Sequence, residues 1–322
     1  MLVHLHGALL PADRAHVSPF DRGFLFGDGI YEGLRCGVIS GRRRVIGLSR
    51  HLRRMAAGLA TAGIEFDPAT LGPATEALLD ANGLSEAFIY WQVTSGAPDP
   101  ATQTPRSRVP PAGLRPTVFG YCTPLPALST LAEPAIKACA VRPDRRWELG
   151  HVKSISLLGN VMEAIDAAER GADEAVLVRE HAGRRLVTEG TYTNVVIVTS
   201  RSAPDANLPP PFDRYEVATP SLRSAPLLAG VTREILLDVE PNLVERAIDA
   251  AELGRADEVI LVGTTTMVTS VSRLDGRSLG DGRIGPVARH LFHRLLDAIR
   301  SGADELSGNR PLRRGVTATG AS

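Results

Sequence analysis

Apolar positions change their spacing twice within the first hundred residues. Short apolar runs at residues 2–5 and 8–10 are separated by His6-Gly7, and runs at 30–36 and 44–46 by Ser40-Gly41. Apolar runs closed by turn residues predict hairpins. From Leu48 the spacing becomes helical, with Leu52, Met55, Leu59 and Ile64 on one stripe and Gly63 near its end, and a second helix is expected over 73–81. Strands are expected at 88–94 and 117–121. Residues 96–116 between them are rich in Pro, Gly, Thr and Ala without periodicity. Long irregular segments inside compact domains are more often functional than idle, so this one is a candidate substrate loop.

Residues 122–134, where Pro124 and Pro126 favour extended backbone, read as an interdomain linker. Beyond it the pattern predicts strands at 136–141, 174–178, 194–198 and 258–262, helices at 157–170, 231–239 and 286–299, and a hairpin around Asp275-Gly276. The expected organisation is α/β (α+β) in two domains: a small N-terminal α/β domain over 1–121, the linker, a larger domain over 135–300, and a polar tail over 301–322 that frays. No internal repeat is visible.

Composition narrows the function classes. Thirty-six basic and 36 acidic side chains give no net charge, so no global field favours nucleic acid or an anionic membrane. Apolar stretches such as 259–262 are far below the roughly 18 residues of a membrane span, and the first ten residues hold two histidines and no basic start, so neither anchor nor signal peptide is expected. Cys36, Cys122 and Cys139 are odd in number and widely spaced, without Cys-x-x-Cys or His-x-x-x-His. That suggests neither a disulfide framework nor a metal site and fits the cytoplasm. Of the basic residues only Lys137 and Lys153 are lysines. Chemistry that needs a deprotonatable primary amine therefore falls on one of these two or on the amino terminus.

Lys153 stands among small and apolar neighbours just before a helix, with Asn160 and Glu163 at helical spacing beyond it. A lysine so placed is ordinarily a solvated charge, but apolar surroundings favour the neutral amine that an imine requires. Glu189, in Thr188-Glu189-Gly190, lies beside a tight bend between strands. A turn glutamate is normally just solvated; facing a pyridine nitrogen, it would keep that nitrogen protonated. Gly230-Val231-Thr232 opens a helix, which either caps itself or offers N–H groups, a dipole and a hydroxyl to an anion. Gly263-Thr264-Thr265 ends an apolar strand with hydroxyls and free N–H groups, and Arg54 is a helix-borne arginine suited to a phosphate clamp.

Taken in order, Arg54, Lys153, Glu189, Gly230-Val231-Thr232 and Gly263-Thr264-Thr265 resemble the fold-type IV pyridoxal-phosphate enzymes: branched-chain aminotransferases, D-amino-acid transaminases and aminodeoxychorismate lyases. The resemblance runs over most of the chain and is sharpest at Val152-Lys153-Ser154 with Leu157-Leu158-Gly159-Asn160, and at Thr188-Glu189-Gly190 with Asn194-Val195. It implies pyridoxal 5'-phosphate as cofactor, Lys153 as its covalent attachment and catalytic base, Glu189 on the ring nitrogen, Leu228 behind the ring, and Arg54 with the two Gly-Thr segments on the phosphate. It also implies a β-barrel-like core flanked by helices in the larger domain, and a homodimer with the site at the subunit interface.

Asp21-Arg22-Gly23-Phe24, Phe26-Gly27-Asp28-Gly29-Ile30-Tyr31-Glu32 and Gln92-Val93-Thr94 look most like the D-amino-acid branch, whereas Glu32-Gly33-Leu34-Arg35-Cys36 is nearer the branched-chain pattern. In the D-amino-acid branch a tyrosine and an Arg-x-His pair, the pair from the other subunit, hold the substrate α-carboxylate. Tyr31 and Arg106 match; Arg108 replaces the histidine, Ser95 replaces an arginine, and the loop is longer. Two residues at i and i+2 of an extended segment point to one side, so Arg106 would bind the α-carboxylate and Arg108 assist it or take a second acid group, unless the chain turns between them. The expected activity is transamination between a D-amino acid of the D-alanine or D-glutamate type and a 2-oxo acid by a ping-pong mechanism. The alternatives are a branched-chain L-amino-acid aminotransferase, an (R)-selective amine transaminase, an aminodeoxychorismate lyase, and a catalytically silent protein of the same fold.

Overall fold

The computed structural model describes residues 1–306 apart from Thr102 and Ala182, so residues 307–322 of the expected tail lie outside the described residues. The described residues divide into two units: Met1–Thr130 with Val152–Leu157, and Leu131–His151 with the described residues from Leu158 onward.

The first unit is built on β1 (Leu2–Leu5), β2 (Ala8–Pro11), a short helix α1 (Arg22–Phe26), β3 (Gly29–Ile39), β4 (Arg42–Val45), α2 (Leu48–Ala62), α3 (Leu71–Asn82), β5 (Ala87–Thr94) and β6 (Thr117–Pro124). The strands form one antiparallel sheet in the order β2-β1-β6-β5-β3-β4. Alternation along β5 sends Ile89, Trp91 and Val93 to a face they share with Met55 and Leu59 of α2 and Leu78 of α3. The other face carries Tyr31, Phe88, Tyr90 and Tyr121, with Tyr31 stacked on Tyr90 and Tyr90 on Tyr121. Strand β6 runs through Cys122-Thr123-Pro124, which the sequence pattern assigns to a linker. Its ladder with β5 extends to the pair Ala87–Pro124, and Pro124 at its last position costs the ladder little.

The second unit holds β7 (Ala135–Pro143), α4 (Leu158–Glu169), β8 (Glu174–His181), β9 (Arg184–Gly190), β10 (Asn194–Ser200), β11 (Tyr215–Pro220), α5 (Val231–Val239), β12 (Leu243–Arg246), β13 (Glu258–Gly263), β14 (Met267–Leu274), β15 (Arg277–Ser278) and α6 (Pro286–Ser301). Its sheet runs β12-β11-β10-β13-β14-β7-β8-β9 with β15 against β14, curled as a half-barrel. Val176, Val187, Val195, Ile197, Val259 and Leu261 fill its interior. Strands β8, β10 and β13 read as unbroken apolar runs because both their faces are covered. Fully burying each such side chain contributes about 1.5–3 kcal/mol. Among the described residues no helix is long and apolar enough to cross a membrane, and no group of three or more His, Cys, Asp or Glu could hold a metal ion.

Candidate active site

Glu189 closes β9, and the turn through Thr191-Tyr192-Thr193 leads into β10 at Asn194, held by Gly190 N donating to Thr193 O at 2.7 Å. The Glu189 side chain is 4% exposed. Its Oε1 pairs with the Arg146 guanidinium, and its Oε2 accepts from Asn194 Nδ2 at 3.0 Å and from Leu228 N at 3.1 Å. Burial pushes this carboxyl up from its ordinary value, and Arg146 opposes that push. Every partner is a donor, which is the setting of an ionised carboxylate.

Arg146 belongs to a chain of alternating charge. It forks onto Asp144 through Nε at 2.9 Å and a terminal nitrogen at 2.7 Å; Arg179 reaches Asp144 at 3.2 Å and Thr188 Oγ1 donates to it at 2.9 Å. Burial works against the Arg146 charge, and Glu189 with Asp144 more than offsets it. Asp144 and Arg146 escape the sequence reading because arginine is so common in this chain that adjacency to acids marks none of them.

The two anion-type segments lie at the same end of the same sheet. Gly230 is the N-cap of α5, whose first N–H groups, on Val231 and Thr232, have no acceptor within the helix. A Cβ on Gly230 would run into Asn194 Oδ1, so the helix starts where only glycine fits. Val262, beside Gly263, pairs with Asn194 across the ladder, and Thr264-Thr265 turn from β13 towards β14. Glu189, Asn194, Leu228, Gly230-Val231-Thr232 and Gly263-Thr264-Thr265 are thus brought together within the second unit.

Lys153 lies in the first unit. Residues 152–157 run beside the start of β3: Tyr31 N donates to Lys153 O at 3.0 Å, Ile155 N donates to Gly29 O at 3.1 Å, and Ile30 bridges to Ser154. The Lys153 Nζ donates to the Tyr31 hydroxyl at 3.3 Å and stands 4.3 Å from that ring's centroid. Lys137, the other lysine, is committed to Tyr192 at 2.7 Å and Glu174 at 3.4 Å. Asn160 donates to Thr191 O at 2.6 Å, and Glu163 lies buried within 3.2 Å of Arg145.

Arg54, expected on a phosphate, is clasped by Glu32. Its Nε and one terminal nitrogen reach the two Glu32 oxygens at 2.7 Å each, and His51 Nδ1 lies 2.8 Å from Glu32 Oε2. Burial would raise the Glu32 carboxyl, but the charge and hydrogen bonds of Arg54, with those of His51, hold it down at about 2, against 4.5 unperturbed. A depressed carboxyl stabilises the fold fully above its unfolded value and loses that contribution as pH falls towards the folded one. Glu32→Gln is therefore expected to cost about 3 kcal/mol at neutral pH by removing the charge that Arg54 and His51 both face. The difference from wild type should shrink between pH 4.5 and 2 in chemical denaturation. A constant difference across that window would refute the pairing.

The loop at 96–116 is closed at its base, where a Cβ on Gly96 (φ +87°) would strike Arg115 O. It turns at Pro105-Arg106 and bends at Arg108-Val109 instead of running extended, so alternation does not fix the two guanidiniums on one side. The Arg106 guanidinium lies 5.2 Å from the Phe26 ring centroid, and neither Arg106 nor Arg108 hydrogen-bonds to Tyr31.

Within the second unit, the buried, donor-surrounded Glu189 carboxylate suits a ring nitrogen, and the start of α5, whose first N–H groups have no acceptor in the helix, suits a phosphate; within the first, the Lys153 amine, with no carboxylate against it among the described residues, suits an aldehyde. The residues fit pyridoxal phosphate. Residues 29–274 match the amino-transferase class IV family, and the chain belongs to it; enzymes of this class use pyridoxal 5'-phosphate. The D-alanine aminotransferase of Bacillus licheniformis is 31% identical over 309 residues, 94% of this chain and 98% of that one. A putative branched-chain-amino-acid aminotransferase of Methanocaldococcus jannaschii is 28% identical over 310 residues, covering 92% and 96%. Among solved structures, the branched-chain aminotransferase of Escherichia coli superposes with a TM-score of 0.79 at 20% identity over 93% of this chain and 95% of that one. That of Thermoproteus uzoniensis, with norvaline, gives 0.76 at 24% over 94% and 95%. These likenesses concern the fold.

Proposed function

We propose that this aminotransferase moves the amino group between a D-amino acid, of the D-alanine or D-glutamate type, and a 2-oxo acid. The observation that carries this reading is the arginine loop, packed on Phe26 in the unit that also places Lys153 Nζ on the Tyr31 hydroxyl. Identity to named D-alanine aminotransferases supports it. Bound pyridoxal phosphate supplies the electron sink for the pair left when a Cα–H bond breaks. Lys153 would hold the cofactor covalently, and its amine would serve as the base that takes the Cα proton. Glu189 keeps its negative charge on the ring nitrogen. Leu228 packs behind the ring, and Val231, Thr232, Thr264 and Thr265 with Gly230 and Gly263 bind the phosphate, which Arg54 steadies. Tyr31 and Arg106 take the α-carboxylate, Arg106 from the second subunit of a cytoplasmic homodimer. The exposed stripe Leu158, Val161, Met162 and Ile165 on α4 offers such a pairing an apolar surface. Light scattering at one chain mass would refute the dimer.

A second reading, branched-chain L-amino-acid transamination, is supported by Gly33, over which the Phe88 ring packs so closely that a Cβ would come within 2.9 Å of it. The visible absorbance of the holoenzyme tests both. Bleaching by D-alanine or D-glutamate and not by L-leucine is the expected result; bleaching by L-leucine alone favours the second reading, and by (R)-1-phenylethylamine alone removes Arg106 from its role.

A further inference from the structure

Arg22 is 3% exposed and lies in a segment for which no role has been assigned above. Its Nε donates to Asp28 Oδ2 at 2.7 Å. Its two terminal nitrogens donate to consecutive backbone carbonyls of the arginine loop, Ser107 O at 2.7 Å and Arg108 O at 2.9 Å. Its own N–H donates to Gly96 O at the base of that loop, at 2.9 Å. Its guanidinium also lies 4.8 Å from the Phe26 ring centroid, the ring on which Arg106 rests. One buried side chain thus ties α1, Asp28 and the middle of the loop together.

We propose that Arg22 is the positioning residue of the arginine loop. It grips the carbonyls of Ser107 and Arg108, and so sets where Arg106 and Arg108 stand for an incoming α-carboxylate. This rests on the carboxylate-binding role proposed for Arg106. A loop of this length without secondary structure would otherwise have to be ordered at the cost of substrate binding, and an anchor already in place removes that cost. Only a planar fork can serve both carbonyls and Asp28 at once; a lysine has one nitrogen to offer. Asp28 neutralises Arg22, which lets a second guanidinium share the Phe26 ring, and among the described residues no acid pairs with the side chains of Arg106 and Arg108. Their charge is kept for an anion.

The test uses full-length holoenzyme carrying Arg22→Lys or Arg22→Met, compared with wild type on the amino acid it deaminates fastest among D-alanine, D-glutamate and L-leucine. The Michaelis constant is expected to rise tenfold or more while kcat stays within threefold. Limited trypsin digestion, run well below the Tm of each protein, should cut after Arg106 and Arg108 at least fivefold faster in both variants, with the rest of the chain intact. Arg22→Lys, which keeps the charge beside Asp28, carries the test if Arg22→Met does not fold. A Michaelis constant within twofold of wild type, or a fall in kcat alone, overturns the proposal, as does unchanged cleavage. If wild type deaminates none of the three, the proposed substrate class fails, and the digestion still decides whether Arg22 anchors the loop.

Discussion

Lys153→Ala is expected to abolish transamination, with kcat/KM falling by about a thousandfold or more, the loss typical when a covalent attachment point and proton carrier is removed. The variant should fold normally, because Lys153 is half-buried and its segment is held on β3 by backbone hydrogen bonds that any residue makes. It should still take up cofactor without the visible band of the lysine-linked form. Lys137→Ala gives the contrast: its amine is occupied by Tyr192 and Glu174, so no comparable loss of turnover is expected. Single-turnover absorbance on both variants decides, and retained turnover in Lys153→Ala would remove it from the chemistry.

The second large effect is expected at Glu189 and Arg146. Glu189→Gln keeps the shape and the contacts with Asn194 and Leu228 but loses the charge, and should lower kcat by about a hundredfold or more, as when a preorganised electrostatic partner is neutralised. Arg146→Met leaves two buried carboxylates, Glu189 and Asp144, short of a cation. Breaking such a buried pair costs about 3–5 kcal/mol, and burial then raises the Glu189 carboxyl further, towards its neutral form. Activity in Arg146→Met should fall with it and recover partly as pH rises. Because both residues act on one charge, the double variant should lose no more than the worse single one. Additive losses, or a pH profile in Arg146→Met parallel to wild type, would show that Arg146 does not govern Glu189.

Much of this was legible in the chain. Helix α5 spans the expected residues 231–239, because its apolar spacing, the preceding glycine and the Thr232 hydroxyl all point to one start. Strands β5 and β13 lie where their apolar patterns put them. Strands β11, β12 and β9 and the short α1 have no bounds in that reading, where β9 enters only as the strand before the bend at Glu189. The first three carry charged or polar residues at positions that alternation leaves ambiguous, and α1 is five residues long, too short for a helical period to register. Its local signals are the Asp21 side chain accepting from Gly23 N and the left-handed Gly27 that ends it.

The candidate site divides in the same way. Two lysines among 36 basic side chains narrow a primary-amine role to Lys137, Lys153 or the amino terminus, the neighbours of Lys153 then single it out, and Glu189, Gly230 and Gly263 stand in short motifs whose chemistry depends on neighbours in sequence. The partners that hold them come from far along the chain. Arg146 reaches Glu189 across 43 positions, Arg22 reaches Ser107 across 85, and Arg54 meets Glu32 across 22. In a chain with so many arginines, nothing local says which guanidiniums are buried. Local pattern reports what a residue does with its neighbours in sequence. Which buried charge answers which is settled only when the sheets fold and bring carboxylates and carbonyls from distant parts of the chain within reach of each cation.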